Sequence, residues 1–173
     1  MTLPTNPSQL DAEALYATLL AQVKTGLAGV ANVAIVGIHS GGAWLAERLA
    51  ADLGLLPRLG VIDVSFYRDD YAQKGLHADV KPTQIGFDVT GATILLVDDV
   101  LYTGRTTRAA INELFDYGRP ARIMLAALVD RGGRQLPVAA DFVAASVTLP
   151  ATQALVLQRA ATGQPGQFTL TIE

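Results

Sequence analysis

Residues 93–109, TILLVDDVLYTGRTTRA, constrain this chain more than any other stretch. An apolar and β-branched run, 93–97, reads as a buried strand and ends in two carboxylates, Asp98 and Asp99. A loop of small and hydroxyl residues follows, Tyr102-Thr103-Gly104-Arg105-Thr106-Thr107, and then a helix predicted over about 104–117. Strand, loop and helix in that order make up half of a parallel crossover unit, which points to an α/β fold. The same residues outline a socket for a sugar phosphate. Two carboxylates accept hydrogen bonds from neighbouring hydroxyls, while loop amides and threonine hydroxyls surround a phosphate at the positive end of the helix. A plainer reading is turn and capping chemistry, and an acidic pair also opens the pocket of receiver domains. A receiver, however, carries that pair near its first strand and does not follow a later strand with Thr-Gly-Arg-Thr.

Strand and helix signals alternate along the rest of the chain. A helix is predicted over 8–24, with Ser8 as N-cap and Asp11 three residues later. Its apolar positions recur at helical spacing: Leu10, Ala14, Ala17 and Ala21, with Leu15, Leu19 and Val23 beside them, and Gly26 and Gly29 end it. Residues 33–37 read as a buried strand, 38–42 as a turn, and 43–53 as a helix stopped by Gly54. Residues 61–66 alternate like a strand, with Ile62, Val64 and Phe66 on one face. The polar stretch 67–84 reads as a long loop or loose hairpin, the kind of element that often serves as a lid. Strands are expected at 122–128 and 142–147, and a hairpin over 153–173 turning at 163–166. The expected architecture is a single domain over residues 1–173. Its sheet is mostly parallel and flanked by helices, with a flexible loop at about 68–84 and a small hood. Ligands would bind beyond the carboxyl ends of the strands.

Composition narrows the function. The chain has 173 residues and a formal net charge of −3, which gives no general nucleic-acid footprint. It has no cysteine, so disulfides and thiolate metal sites are excluded. The start, MTLPTNPSQLDAEAL, lacks the basic and apolar regions of a signal peptide, so a cytoplasmic protein is expected.

Three further constellations fall beside predicted strand ends. The turn Ile38-His39-Ser40-Gly41-Gly42 opens onto a helix N-terminus whose amides suit an anion; taken alone it is also a simple tight connection. His39, with His77 the only other histidine, has no metal-ligand spacing. Tyr67-Arg68-Asp69-Asp70 opens the long loop, where Arg68 has the fork to grip a diphosphate, with Lys74 and Lys81 adding charge. Val129-Asp130-Arg131-Gly132-Gly133-Arg134 follows another strand and suits a third wall of the same pocket, or else a surface turn.

Residues 98–107 match the donor-binding motif of type I phosphoribosyltransferases. Taken with VGIHSGGAWLAERLA, DVSFYRDD, ILLVDDVLYTGRTTRAAINEL, GRPARIMLAALVDRGGRQLP and AADFV, the chain resembles one branch, the PyrR family. That family comprises pyrimidine-operon attenuation proteins with uracil phosphoribosyltransferase activity. The resemblance implies phosphoribosyl pyrophosphate (PRPP) as donor, uracil as acceptor and UMP as product. Asp98 and Asp99 would bind the ribose hydroxyls; Val100 and Leu101 would lead into residues 102–106 (Tyr102, Thr103, Gly104, Arg105, Thr106), which would hold the 5′-phosphate. Ser40 and Gly41 would lie in the diphosphate turn and Arg68 would touch the leaving group. Val129, Asp130 and Arg131 would stand near the base, with Asp130 meeting Mg2+ through water. The resemblance also implies a homodimer or homotetramer, and leader RNA of pyrimidine genes as a further partner.

Two departures from the family pattern bear on these expectations. Many relatives carry arginine where this chain has Gly41, which removes a charge from the diphosphate turn. RNA-binding relatives are basic on the first helix and near the strand at 142–147, whereas 8–23 and 142–157 contain no Lys, Arg or His here. Phosphate contacts dominate RNA affinity, so the attenuator role loses its expected surface.

Overall fold

Five strands form one parallel sheet in the order β2-β1-β3-β4-β5. They are β1 (Val33–Ile38), β2 (Leu59–Ile62), β3 (Thr93–Leu101), β4 (Arg122–Asp130) and β5 (Phe142–Ser146). The computed structural model describes residues 6–65, 82–161 and 166–173. β1 is buried along its whole length, as a central strand covered on both faces requires. Helices α1 (Ala12–Leu27) and α2 (Gly41–Leu53) cover one face, packing Leu19, Leu45 and Leu49 against Ile35 and Leu95. Helix α3 (Arg105–Tyr117) covers the other, setting Ala110 and Leu114 against Ile94 and Leu96. Strands β6 (Leu155–Arg159) and β7 (Phe168–Ile172) form a separate antiparallel pair, with Leu155 opposite Ile172 and Arg159 opposite Phe168.

The α/β architecture agrees with the sequence reading, but several boundaries move. Helix α1 starts at Ala12 rather than residue 8, because Asp11 is its N-cap and accepts from the amides of Glu13 and Ala14. Residues Pro7–Gln9 form a single 3-10 turn. The core stripe is Ala12, Tyr16, Leu19 and Val23, while Ala14, Ala17 and Ala21 face solvent. Gly26 lies inside the helix because the Phe142 ring sits where its Cβ would be, 2.3 Å away. The second strand is Leu59–Ile62, not 61–66: Leu59 and Gly60 pair with Ile35 and Val36, and Phe66 lies outside the described residues. Of the expected loop, residues 67–81 lie outside the description, and Gln84 pairs with Val61 in an antiparallel bridge. β3 runs on through the acidic pair, held by pairing of Val100 with Val129 and Leu101 with Asp130.

Hairpin β6–β7 is fastened to α1 and α2 by polar contacts around an aromatic pair. The Phe168 amide donates to Glu13 Oε1 at 2.7 Å, and Arg48 pairs with Glu13. The Arg48 guanidinium lies 4.0 Å from the Tyr16 ring centre, and the Tyr16 hydroxyl donates to Asp52 Oδ2 at 2.6 Å. Burial, then the bond to Asp52, holds that hydroxyl well above the ordinary phenol range, so it stays protonated. A raised acid pKa gives stability that is complete below the unfolded value of about 10 and is lost as pH climbs further. Tyr16→Phe is therefore expected to cost about 1 kcal/mol at neutral pH by denaturant unfolding. Its deficit against the parent chain should shrink above about pH 10; a deficit constant from pH 7 to 11 would contradict the assignment.

Candidate active site

The chain leaves β1 and β3 in opposite directions. α2 follows β1 onto one face and α3 follows β3 onto the other, while β1 and β3 are neighbours. Such a switch point opens a crevice beyond the carboxyl ends of the two strands. The turn 38–42 and the loop after β3 meet there.

On the β1 side, the His39 amide donates to Ile62 O at 2.9 Å, and the His39–Ser40 peptide bond is cis. Ser40 occupies the N-cap position of α2 without bonding to it through its side chain. The two glycines that open α2 are both buried, each for a steric reason. A Cβ on Gly41 would lie 2.3 Å from Asp99 Oδ2, and one on Gly42 would lie 2.4 Å from the Val97 carbonyl oxygen. Two residues without side chains thus let the helix N-terminus abut the tip of β3. The glycine at position 41, read from sequence as a lost charge, makes room for the Asp99 carboxylate.

On the β3 side, Asp98 is 4% exposed and its Oδ1 accepts from the Asp99 amide at 2.9 Å. Asp99 is less buried, and its Oδ1 accepts from the Val100 amide at 2.9 Å. Both side chains are therefore fixed by the backbone beside them, as a rigid acceptor pair needs. The chain then bends through Tyr102 and Thr103 to Gly104, whose φ of +91° turns it into α3. Thr103 Oγ1 accepts from the Arg105 amide at 3.2 Å. The Thr107 hydroxyl, in the first turn of α3, is buried and has no hydrogen-bond partner. The sequence reading carried the hydroxyl-rich loop through Thr107, while the family resemblance implied a 5′-phosphate contact only for residues 102–106.

A second loop, 130–138, braces the first from behind. The amides of Gln135 and Leu136 both donate to Thr103 O, at 2.9 and 3.2 Å, and the Arg105 Nε–H donates to Gln135 Oε1 at 3.0 Å. Arg134 donates to the carbonyl oxygens of Tyr102 and Val138 and pairs with Asp130 Oδ2. Asp130 Oδ1 accepts from the Gly132 amide at 2.9 Å. Asp130 is thus an anchor for Arg134 as well as a candidate acidic group. Val129 is fully buried, between Val100 and Ala145 in the sheet, so its side chain is core.

Residues Asp98 to Thr106, with Thr107 and Arg131, line one cleft of about 650 Å3. Its far wall is Ala151 and Gln153 to Val156, at the entry to β6. Gly41 stands against Asp99 at its shoulder, neither it nor Ser40 is in the wall, and neither Val129 nor Asp130 lines it. Arg68 lies outside the described residues. Among the described residues, no three His, Cys, Asp or Glu side chains converge as a metal site. No described helix is long and apolar enough to cross a membrane. A second, more apolar cavity of about 440 Å3, between Lys24, Leu53 and Arg58, contains none of the motif residues.

Three kinds of comparison relate the chain to phosphoribosyltransferases. The family model described as phosphoribosyl transferase domain matches residues 8–150. The protein named Bifunctional protein PyrR from Ralstonia nicotianae is 56% identical over 167 residues, covering 95% of each chain. Its namesake from Nitrosococcus oceani is 49% identical over 147 residues, covering 83% of this chain and 82% of its own. Among solved structures, the purine phosphoribosyltransferase from Pyrococcus horikoshii superposes with a TM-score of 0.60 at 26% identity, covering 80% of this chain and 85% of that one.

Proposed function

Because the chain belongs to the PyrR family of phosphoribosyltransferases, we propose that it transfers the phosphoribosyl group of PRPP to uracil, giving UMP and diphosphate. The observation that carries this is the joining of two backbone-fixed carboxylates and a hydroxyl-rich helix N-terminus in one cleft at the β1/β3 switch point. Asp98 and Asp99 receive the ribose 2′- and 3′-hydroxyls. Residues 102–106 and the partnerless Thr107 hydroxyl receive the 5′-phosphate at the positive end of α3. The amides that open α2, beside Ser40 and Gly41, face the diphosphate.

Uracil N1 then forms a bond to C1′ as the C1′–O bond to diphosphate breaks and the N1 proton is released. The protein contributes orientation and stabilisation of charge on the leaving group. Mg2+ would be carried mainly by the diphosphate, and Asp130, which pairs with Arg134 outside the cleft wall, would meet its shell only through water. Bound Mg2+ would neutralise the charge that builds on diphosphate. Uracil would lie toward the ends of β3 and β4, near the 150–156 wall, and the reaction is assigned to the cytoplasm.

The test is a panel of bases offered with PRPP and Mg2+, scored by diphosphate release and product identity. Uracil is expected to support turnover, with cytosine, hypoxanthine and guanine at background. Release with a purine, or with no base at all, would overturn the reading.

One further reading rests on the relatives' being named bifunctional: a UMP-responsive regulator that binds leader RNA of pyrimidine genes, with weak catalysis. The charge distribution disfavours it, since Lys24 is the only basic residue on α1 and β5 has none. A gel shift with such RNA is expected to show little binding with or without UMP. A UMP-strengthened shift would favour the regulator.

A further inference from the structure

Arg131 stands apart from the other described arginines. It is only 7% exposed, yet among the described residues no carboxylate pairs with it. One terminal nitrogen donates to Gln153 O at 2.8 Å and the other to Pro150 O at 3.2 Å, while its Nε–H has no partner. Its guanidinium carbon lies 3.9 Å from the centre of the Tyr102 ring. A buried cation held only by neutral carbonyls, with one donor unsatisfied, is a costly way to stabilise a fold. What the residue does accomplish is spatial. It touches both sides of the cleft at once, Tyr102 in the sugar-phosphate loop and the 150–153 segment at the start of the opposite wall.

Tyr102 is prepared for this contact. Its carbonyl is held by Arg134, and its ring lies where a Cβ on Gly133 would be, at 2.4 Å. Gly133 has a φ of +76°, so both its backbone and the ring above it exclude a side chain. The Tyr102 ring is thus in contact with Gly133 and with the Arg131 guanidinium, although it is 38% exposed. We propose that Arg131 is a positioning residue that sets the spacing between the two walls of the cleft, stacking on Tyr102 while it fixes the carbonyls of Pro150 and Gln153. As a consequence for the reaction proposed above, on which the kinetic part of this inference rests, the loop that grips the sugar phosphate and the wall nearest the base move together.

The experiment combines steady-state kinetics with hydrogen–deuterium exchange on the unliganded protein. Arg131→Gln is expected to raise the KM for PRPP about tenfold, the size of a lost stack and hydrogen bond, and to lower kcat less than about threefold. Tyr102→Leu, which removes the ring face, should reproduce Arg131→Gln. The double variant should be no worse than the worse single one, because both remove the same contact. In the exchange measurement, Arg131→Gln and Tyr102→Leu should each speed exchange in both 102–107 and 151–154. Should Arg131→Gln fail to fold, Arg131→Lys, which keeps the charge but loses the flat fork, is read in the same two assays with the same expectation. Faster exchange confined to one wall, or additive losses in the double variant, would overturn the tie. If no base is turned over, the functional reading fails on its own while exchange still decides the coupling.

Discussion

Replacing Asp99 with asparagine is expected to raise the KM for PRPP by about tenfold to a hundredfold, the worth of a charge-assisted hydrogen bond of about 1.5–3 kcal/mol. The substitution is nearly isosteric, so the close fit against Gly41 survives. The amide oxygen can still accept from the Val100 amide, as Oδ1 does now. What disappears is the negative charge and one of the acceptors proposed for the ribose. The KM for uracil should therefore stay within about twofold, and thermal stability should be unchanged within about 0.5 kcal/mol. Steady-state rates with each substrate varied in turn, beside a melting curve, decide the matter. An unchanged KM for PRPP would remove the ribose role from this carboxylate.

Gly42→Ala should do more damage, and for a different reason. The new methyl would meet the Val97 carbonyl oxygen at 2.4 Å and the Asp98 Cα at 3.0 Å. Both atoms belong to the backbone of the central strand β3, which is paired on both edges and cannot yield. The N-terminus of α2 must instead move away from the acidic pair, widening the crevice where β1 and β3 part. Overpacking of this kind costs about 1–3 kcal/mol of stability. Displacing a binding element by a fraction of its own width costs about a hundredfold in kcat/KM. Gly86→Ala is the control, because a Cβ there meets nothing within 4 Å and its φ is not positive. Were Gly42→Ala to match Gly86→Ala in melting temperature and in rate, the close approach would have no functional weight.

The centre of the site was legible because its chemistry is local. Asp98, Asp99 and Thr103 to Thr106 are adjacent in the chain, and a strand followed by a helix leaves them little freedom. Elsewhere the deciding contacts lie between residues far apart in the chain. Tyr16 enters the core because its hydroxyl finds Asp52, and that turns the buried stripe of α1 away from Ala14, Ala17 and Ala21. Leu59 and Gly60, next to Pro57, read as connection, yet parallel pairing with β1 makes them strand. Gly41 read as a missing charge, and its value shows only against Asp99. The arginines of 130–134 were visible as charges. Apart from the Arg134–Asp130 pair, their partners are backbone carbonyls, which have no sequence signature.

Hairpin β6–β7 contributes Leu155 and Val156 to the cleft while sharing no strand pairing with the five-stranded sheet. It is tethered instead through the Glu13–Phe168 bond, through Arg48 over the Phe168 ring, and through Arg159, which pairs with Glu47 and lies 5.2 Å from the Trp44 ring centre. Leu155, Leu157 and Phe168 also pack into the core shared with α1 and α2. Loosening those distant moorings would therefore weaken the fold and strip the bay of one shore together.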